Sequence, residues 1–310
     1  MLWLIISILA YLLVALETIL DKFLLSSNKI SHPAIYAFYS GILSSFALLF
    51  FPFGFHFIGF GKLFVGILAG TIFVYGILAL FYAIKESDAS QVTPVVVATT
   101  PIVTYFLSLL ILHDRLFFHQ LLGVFILISG GLLVSVDLSK RKKDKFFKGF
   151  YHAILAGALL ALAFTLFKHL YNDGKFINIF IWTRFGLFFG AFSLLFFSNW
   201  RKIILKSLHK FKKPQIEHYQ SGTLFVITKA LGGLGSIALN YAISLGDVTL
   251  VNALVSLEYA FVFIFEVVLA FWFPSIFKRT KSPLGILQKS IAVVLIGTGV
   301  FLVSHIRRYQ

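Results

Sequence analysis

Cysteine is absent from this chain. Without a thiol there is no disulfide, no thiolate nucleophile, no thiolate-held zinc and no iron–sulfur cluster. Acidic side chains are scarce as well, 12 Asp and Glu against 27 Lys and Arg, and charged residues make up only 13% of the sequence. A soluble domain carries about 25% charged residues, so the chain falls well short of what dissolves in water. Motifs for common chemistry are missing: no P-loop, no H-E-x-x-H, no G-x-S-x-G and no carboxylate run with EF-hand spacing. Nothing here points to ATP-driven work. His113-Asp114 is too small a fragment for a metal site, and no cofactor is expected.

Apolar residues supply 59% of the composition. They fall in runs separated by short polar punctuation from Leu2 onward. A bilayer core about 30 Å thick needs roughly 20 apolar residues in a spanning helix. Ten such runs are read at 2–24, 33–54, 61–84, 89–112, 117–138, 149–171, 176–198, 220–244, 247–273 and 283–306. Continuous rather than alternating apolarity excludes spanning strands. Helices satisfy their own backbone in lipid, so the predicted class is an all-α membrane protein with ten transmembrane helices. The start, Met1-Leu2-Trp3, has no positive n-region and reads as the first span rather than a cleaved leader.

The formal charge of +15 resembles a nucleic-acid signal, but its placement argues for membrane topology and against a nucleic-acid partner. Lys140, Arg141, Lys142, Lys143, Lys145 and Lys148 follow the fifth span. Arg201, Lys202, Lys206, Lys210, Lys212 and Lys213 follow the seventh, and Lys278, Arg279 and Lys281 the ninth. The other side has little beyond Lys62, Arg115, Lys175, Arg307 and Arg308. The positive-inside bias then places both termini outside the cytoplasm.

The chain also repeats itself. ALFYAIKESDASQV (79–92) and ALNYAISLGDVTLV (238–251) agree at seven of fourteen positions. ISGGLLVS (128–135) echoes IGTGVFLVS (296–304), and ALETILDKFLL (15–25) is faintly similar to ALAFTLFKHLY (161–171). Two five-helix modules, 1–138 and 149–310, are therefore expected about a basic linker, 139–148. An odd helix count inverts the second module relative to the first. Such inverted repeats enclose a site near the midplane.

The ordered pattern ALFYAIKESDASQVTPVVVATTPIVTYFLSLLILHDRLFFHQLLGVFILISGGLLVS (79–135) resembles an EamA-type module of the drug/metabolite transporter superfamily. LVNALVSLEYAFVFIFEVVLAF (250–271) and Gly297-Thr298-Gly299 are similar to the second copy. The resemblance implies ten helices in two modules and export or exchange of a small metabolite. Two positions depart from the pattern. His113-Asp114 stands where the family has Gly-Glu. Leu257-Glu258-Tyr259 stands where it has Leu-Glu-Pro, which keeps the carboxylate and loses the proline.

Polar residues in the oil carry the functional expectation, because charges at bilayer depth are costly and face a cavity or a partner. Glu17 and Asp21 share one helix face. Glu17 and Glu258 are the candidate proton-coupling residues. Glu17, Tyr39, Tyr82, Arg184, Lys229, Tyr241, Asn252 and Glu258 are the candidate substrate-binding residues. Lys229, Arg184 and Lys168 are possible counter-charges, while Arg184 is also suited to bracing carbonyls. Asp21 and Lys22 near a helix end are read as snorkelling. Tyr82 and Tyr241 stand out among the tyrosines because they occupy equivalent repeat positions. The glycines, Gly232 and Gly233 among them, are read as allowing close helix packing. The function read from these features is secondary transport of a small amphipathic metabolite across the cell membrane by a monomer or homodimer. The rivals are a lipid-linked-sugar flippase and a membrane-embedded lipid enzyme. The latter would need polar groups converging at one membrane face.

Overall fold

In the computed structural model, residues 1–25, 32–87, 89–135, 147–210, 219–272 and 283–304 are described, and every regular element among them is helical. The helices are α1 (Leu2–Leu25), α2 (Pro33–Leu43), α3 (Phe60–Glu86), α4 (Ala89–Leu107), α5 (Phe118–Ser135), α6 (Phe150–Asn172), α7 (Phe176–Ser193), α8 (Ser198–Lys210), α9 (Tyr219–Leu245), α10 (Val248–Ala253), α11 (Val255–Trp272) and α12 (Pro283–Ser304). Among the described residues, nine segments are long and apolar enough to cross a membrane. The long helix α9 is not one of those nine, but it packs lengthwise along α1 inside the bundle. At 27 residues it is about 40 Å long.

Local chemistry sets the boundaries. His32 caps α2, its Nδ1 accepting from Ala34 N at 3.3 Å, with Pro33 at the first helical position. Asp247 caps α10, its Oδ1 accepting from Thr249 N at 2.7 Å and Leu250 N at 3.1 Å.

Three features depart from the predicted spans. First, only Pro33–Leu43 of the second span is α-helical, and Ser44–Phe53 winds as a 3₁₀ segment. There Ser44 Oγ donates to Gly41 O at 2.6 Å and Ser45 Oγ to Ile42 O at 2.7 Å, and Pro52 offers no N–H. These local bonds compete with the α-helical ladder. Second, the ninth span breaks at Leu254 without any proline. Leu257 N turns back to Leu254 O at 2.9 Å, and Ser256 Oγ donates sideways to Leu127 O at 2.7 Å. Third, the segment read as a basic loop forms α8, an amphipathic helix that buries Ile204 and exposes Arg201, Lys202 and Lys206. Most of the other cationic loop residues (140–145, 212–213 and 278–281) lie outside the described residues.

The helices pack as α1 on α9, α3 on α6 and α7, α4 on α6, and α5 on α12. Small residues allow the closest of these crossings. A Cβ on Gly70 would collide with the backbone of Gly186 and Leu187. Two apolar clusters fill the interior, one around Phe167, Leu170 and Ile179, the other around Leu127, Leu254 and Ile296. Outward-facing Phe60, Phe118, Phe196 and Trp272 sit at helix ends, as interfacial aromatics do.

Contacts define two ends of the bundle. At one, Lys62 pairs with Asp173 at 3.3 Å, Lys168 Nζ donates to Ser244 O at 3.2 Å, and the Trp3 ring lies against Gly246. At the other, Ser87 Oγ accepts from Gly149 N at 3.1 Å, and Trp200 of α8 donates to Tyr82 at 3.0 Å. The basic helix α8 belongs to this second end.

Candidate functional site

The sequence places three charged residues deep in α1, α9 and α11, and packing brings them together. Lys229 Nζ donates to Glu17 Oε1 at 3.1 Å, with the two side chains 38% and 24% exposed. Gly232 lies one turn beyond Lys229 on the same face of α9. A Cβ there would collide with the Glu17 carboxylate, so the missing side chain is what lets that carboxylate lie against α9. The next residue, Thr18, donates to Glu258 Oε1 at 3.4 Å, which is the long end of hydrogen-bond range. Tyr11, two turns earlier on α1, is buried, and its hydroxyl donates to Val251 O at 2.9 Å. That bond ties α1 to α10 just before the break at Leu254. With both carboxylates ionised, the three charges sum to minus one.

The remaining sequence candidates lie elsewhere. Asn252 is buried, and its Nδ2 donates to Thr104 Oγ1 at 3.0 Å, joining α10 to α4. Tyr241 packs its ring on Phe176 with centroids 4.9 Å apart, at the first end of the bundle. Tyr82 accepts from Trp200 at the second end and stacks on His152 with centroids 5.7 Å apart. Tyr39 lies 3.4 Å from Ser207 Oγ and helps seat α8. Lys168 is buried beside Asp114 and Asp247, away from Glu17. The side chains of Asp21 and Lys22 lie outside the described residues.

Arg184 is also separate. It is 6% exposed, and its guanidinium carbon sits 4.4 Å from the Phe180 ring centroid and 5.9 Å from that of Phe167. Its nearest link to α9 runs through Tyr171, whose hydroxyl donates to Asn240 at 3.2 Å. Asn240 is eleven residues from Lys229, about 16 Å along the helix.

Thr18, Tyr11 and Gly232 were not singled out for this site from sequence. Their signal was helical spacing from the charges: seven residues separate Tyr11 from Thr18, and three separate Lys229 from Gly232.

Apolar helices enclosing a shared group of charges define a multi-pass integral membrane protein. Residues 1–136 match the model of the EamA-like transporter family. The matched stretch covers α1 to α5, and over it the chain is similar to EamA-type membrane transporters. A solved structure, titled only as the crystal structure of a protein, aligns over 98% of this chain and 95% of its own, with a TM-score of 0.65 and 17% sequence identity. That likeness is one of fold. No curated protein matches this chain.

Proposed function

We propose that this protein is a secondary active exporter of a small amphipathic metabolite bearing an amine, such as an amino acid or a drug-like cation, and that it works by alternating access in the cell membrane. The observation that carries the reading is the meeting of Glu17, Lys229 and Glu258 from three helices. A cluster with net charge minus one is suited to one extra positive charge. That charge is either a substrate ammonium or a proton on Glu17 or Glu258, and competition between the two couples outward substrate movement to inward proton movement.

Two inverted five-helix modules, with α9 as a tenth crossing, supply the motion in this reading. Reciprocal contacts support them. Gly76 of α3 packs on Leu159 and Leu160 of α6, while Gly235 of α9 packs on Leu13 and Val14 of α1. The spacing of the sequence repeats relates these two sets. Gly130 meets Ile296 at 2.7 Å from an ideal Cβ, and Gly299 meets Leu127 at 2.7 Å. This exchange of partners is typical of a two-fold relation.

The halves differ elsewhere, which supports an asymmetric state. α3 is sealed against α7, whereas α9 and α2, their counterparts, are not packed in that way. Lys168–Ser244 and Tyr171–Asn240 join α6 to α9 towards the first end. The vestibule of this reading therefore opens on the α8 side, which the positive-inside bias makes cytoplasmic.

The test is flux of radiolabelled amines from proteoliposomes, with and without a pH gradient. Transport driven by the gradient, with coupling lost in Glu17→Gln or Glu258→Gln, is the expected result. Absence of flux across a broad panel of amines and amino acids defeats the proposal.

A further inference from the structure

The helix α8 presents cations that no carboxylate meets among the described residues. Arg201, Lys202 and Lys206 are exposed, and the ion pairs of the described residues, Lys62–Asp173, His152–Glu86 and Lys229–Glu17, leave them out. No acidic residue occurs between Asp173 and Glu217, so the stretch around α8 has one sign of charge. Arg201 N donates to Phe197 O at 2.9 Å, which puts Phe197 in register with the helix. Phe197, Arg201 and Leu205 then form one stripe and Lys202 and Lys206 the next, both on the exposed face. Phe197 is 51% exposed, Leu205 45%, and Phe196 just before the helix 87%. The opposite face turns Ile204 into the core.

The chain also fixes the height of this face. The apolar span over α7 ends at Phe196, two residues before α8 begins. A helix of 13 residues running straight outward would travel about 20 Å and leave the headgroup layer, which is about 5–7 Å deep on each side. Two hydrogen bonds hold α8 back against the bundle. Trp200 donates to Tyr82 of α3 at 3.0 Å, and Ser207, two turns on, lies 3.4 Å from the hydroxyl of Tyr39, seven residues into α2. The exposed face therefore stays at the depth of lipid phosphates.

We infer that this face of α8 is a docking surface for the anionic phospholipids of the surrounding leaflet. Arg201, Lys202 and Lys206 take the phosphate oxygens, and Phe196, Phe197 and Leu205 lie against the glycerol and upper acyl carbons. Cations interleaved with exposed apolar side chains suit a layer that is charged above and oily below. A partner dissolved in water gives those phenyl rings nothing to cover them. Each basic residue at an anionic leaflet is worth about fivefold in affinity, so three together favour an anionic over a zwitterionic lipid by about a hundredfold at low salt.

The surface shares no residue with the Glu17–Lys229–Glu258 centre and its readout is lipid binding rather than flux, so it stands or falls independently of the transport reading. The chain has no cysteine, so Asn199→Cys, three residues before Lys202 on the same exposed face, carries a single bimane fluorophore without removing a cation. The full chain is placed in phosphatidylcholine nanodiscs, and the fluorophore is quenched by phosphatidylglycerol or phosphatidylcholine bearing a nitroxide near the top of one acyl chain. Half-maximal quenching is expected at an at least tenfold lower mole fraction of the phosphatidylglycerol. That preference should vanish in Arg201→Gln/Lys202→Gln/Lys206→Gln, return in Arg201→Lys/Lys202→Arg/Lys206→Arg, which guards against misfolding, and persist in Arg115→Gln/Lys175→Gln at the other end of the bundle. Equal quenching by the two lipids, or a preference that survives the triple glutamine variant, overturns the assignment. Displacement of the lipid at constant ionic strength by soluble glycerol 3-phosphate or by polyglutamate overturns the choice of a bilayer phospholipid.

Discussion

Lys229→Met is the most revealing single change. It keeps chain length and apolar bulk while removing the ammonium 3.1 Å from Glu17. Both partners are partly exposed, so the pair belongs with screened ion pairs, and its loss costs about 1 kcal/mol of stability at most. The functional effect has the opposite sign. Lys229 is a tethered competitor for Glu17, and removing it takes the formal charge of the cluster from minus one to minus two. If about 1 kcal/mol of that competition is relieved, a monocationic ligand binds roughly fivefold more tightly. The assay is titration of the purified protein with a lipophilic monocation, read as ligand-induced thermal stabilisation at several concentrations. Glu17→Gln/Lys229→Met provides the double-mutant control, in which the gain should vanish. Affinity that is unchanged or weaker in Lys229→Met refutes competition at Glu17 and leaves the pair as a structural brace.

Four other outcomes follow from the same geometry. Gly232→Ala drives a methyl into the Glu17 carboxylate, so gradient-driven flux should fall at least tenfold while thermal stability changes by only a few degrees; unchanged flux would show that the carboxylate position is irrelevant. Gly186→Leu forces a side chain into the backbone of Gly66 and Ile67 and should cost about 3 kcal/mol or more by overpacking, seen as loss of a sharp melting transition. Ser256→Ala removes the bond to Leu127 O across α11 and α5, with an expected cost of about 1 kcal/mol in denaturant unfolding. Because the chain has no native cysteine, Ser44→Cys paired with Ala230→Cys tests the alternate state. These positions are the repeat counterparts of Gly190 and Thr71, which touch in the present state, and substrate should accelerate their cross-linking; no cross-link under turnover counts against inverted closure of α2 on α9.

Much of this architecture is legible in the sequence, and the reason is physical. A bilayer imposes length and apolarity on every crossing, so the spans print themselves as runs, and their ends match the helices to within a few residues. A deep charge such as Glu17 or Lys229 is conspicuous for the same reason, and Lys229 is readable as a counter-charge before any packing is known. The break at Leu254 is not readable, because it arises from Ser256 bonding to a different helix rather than from a local breaker. The helix α8 is hidden by its charge: four cations around Trp200, Ile204 and Ser207 look like a solvated loop until Ile204 finds the core. Tyr82 and Tyr241 show where repeat reasoning itself goes astray. Each lies four residues before the end of its helix, and the two sit at opposite ends of the bundle, one beside Trp200 and the other beside Phe176, as the proposed inversion of the repeats requires. Under the proposed inversion only positions near its axis would stay together, and the approaches of Gly130 to Ile296 and of Gly299 to Leu127 fit that place. A shared site is therefore better sought in residues that differ between the halves. Lys229 stands where the first repeat has Gly70, and Glu258 where it has Thr99; the broken equivalence puts charge into one module and the tight glycine seam into the other.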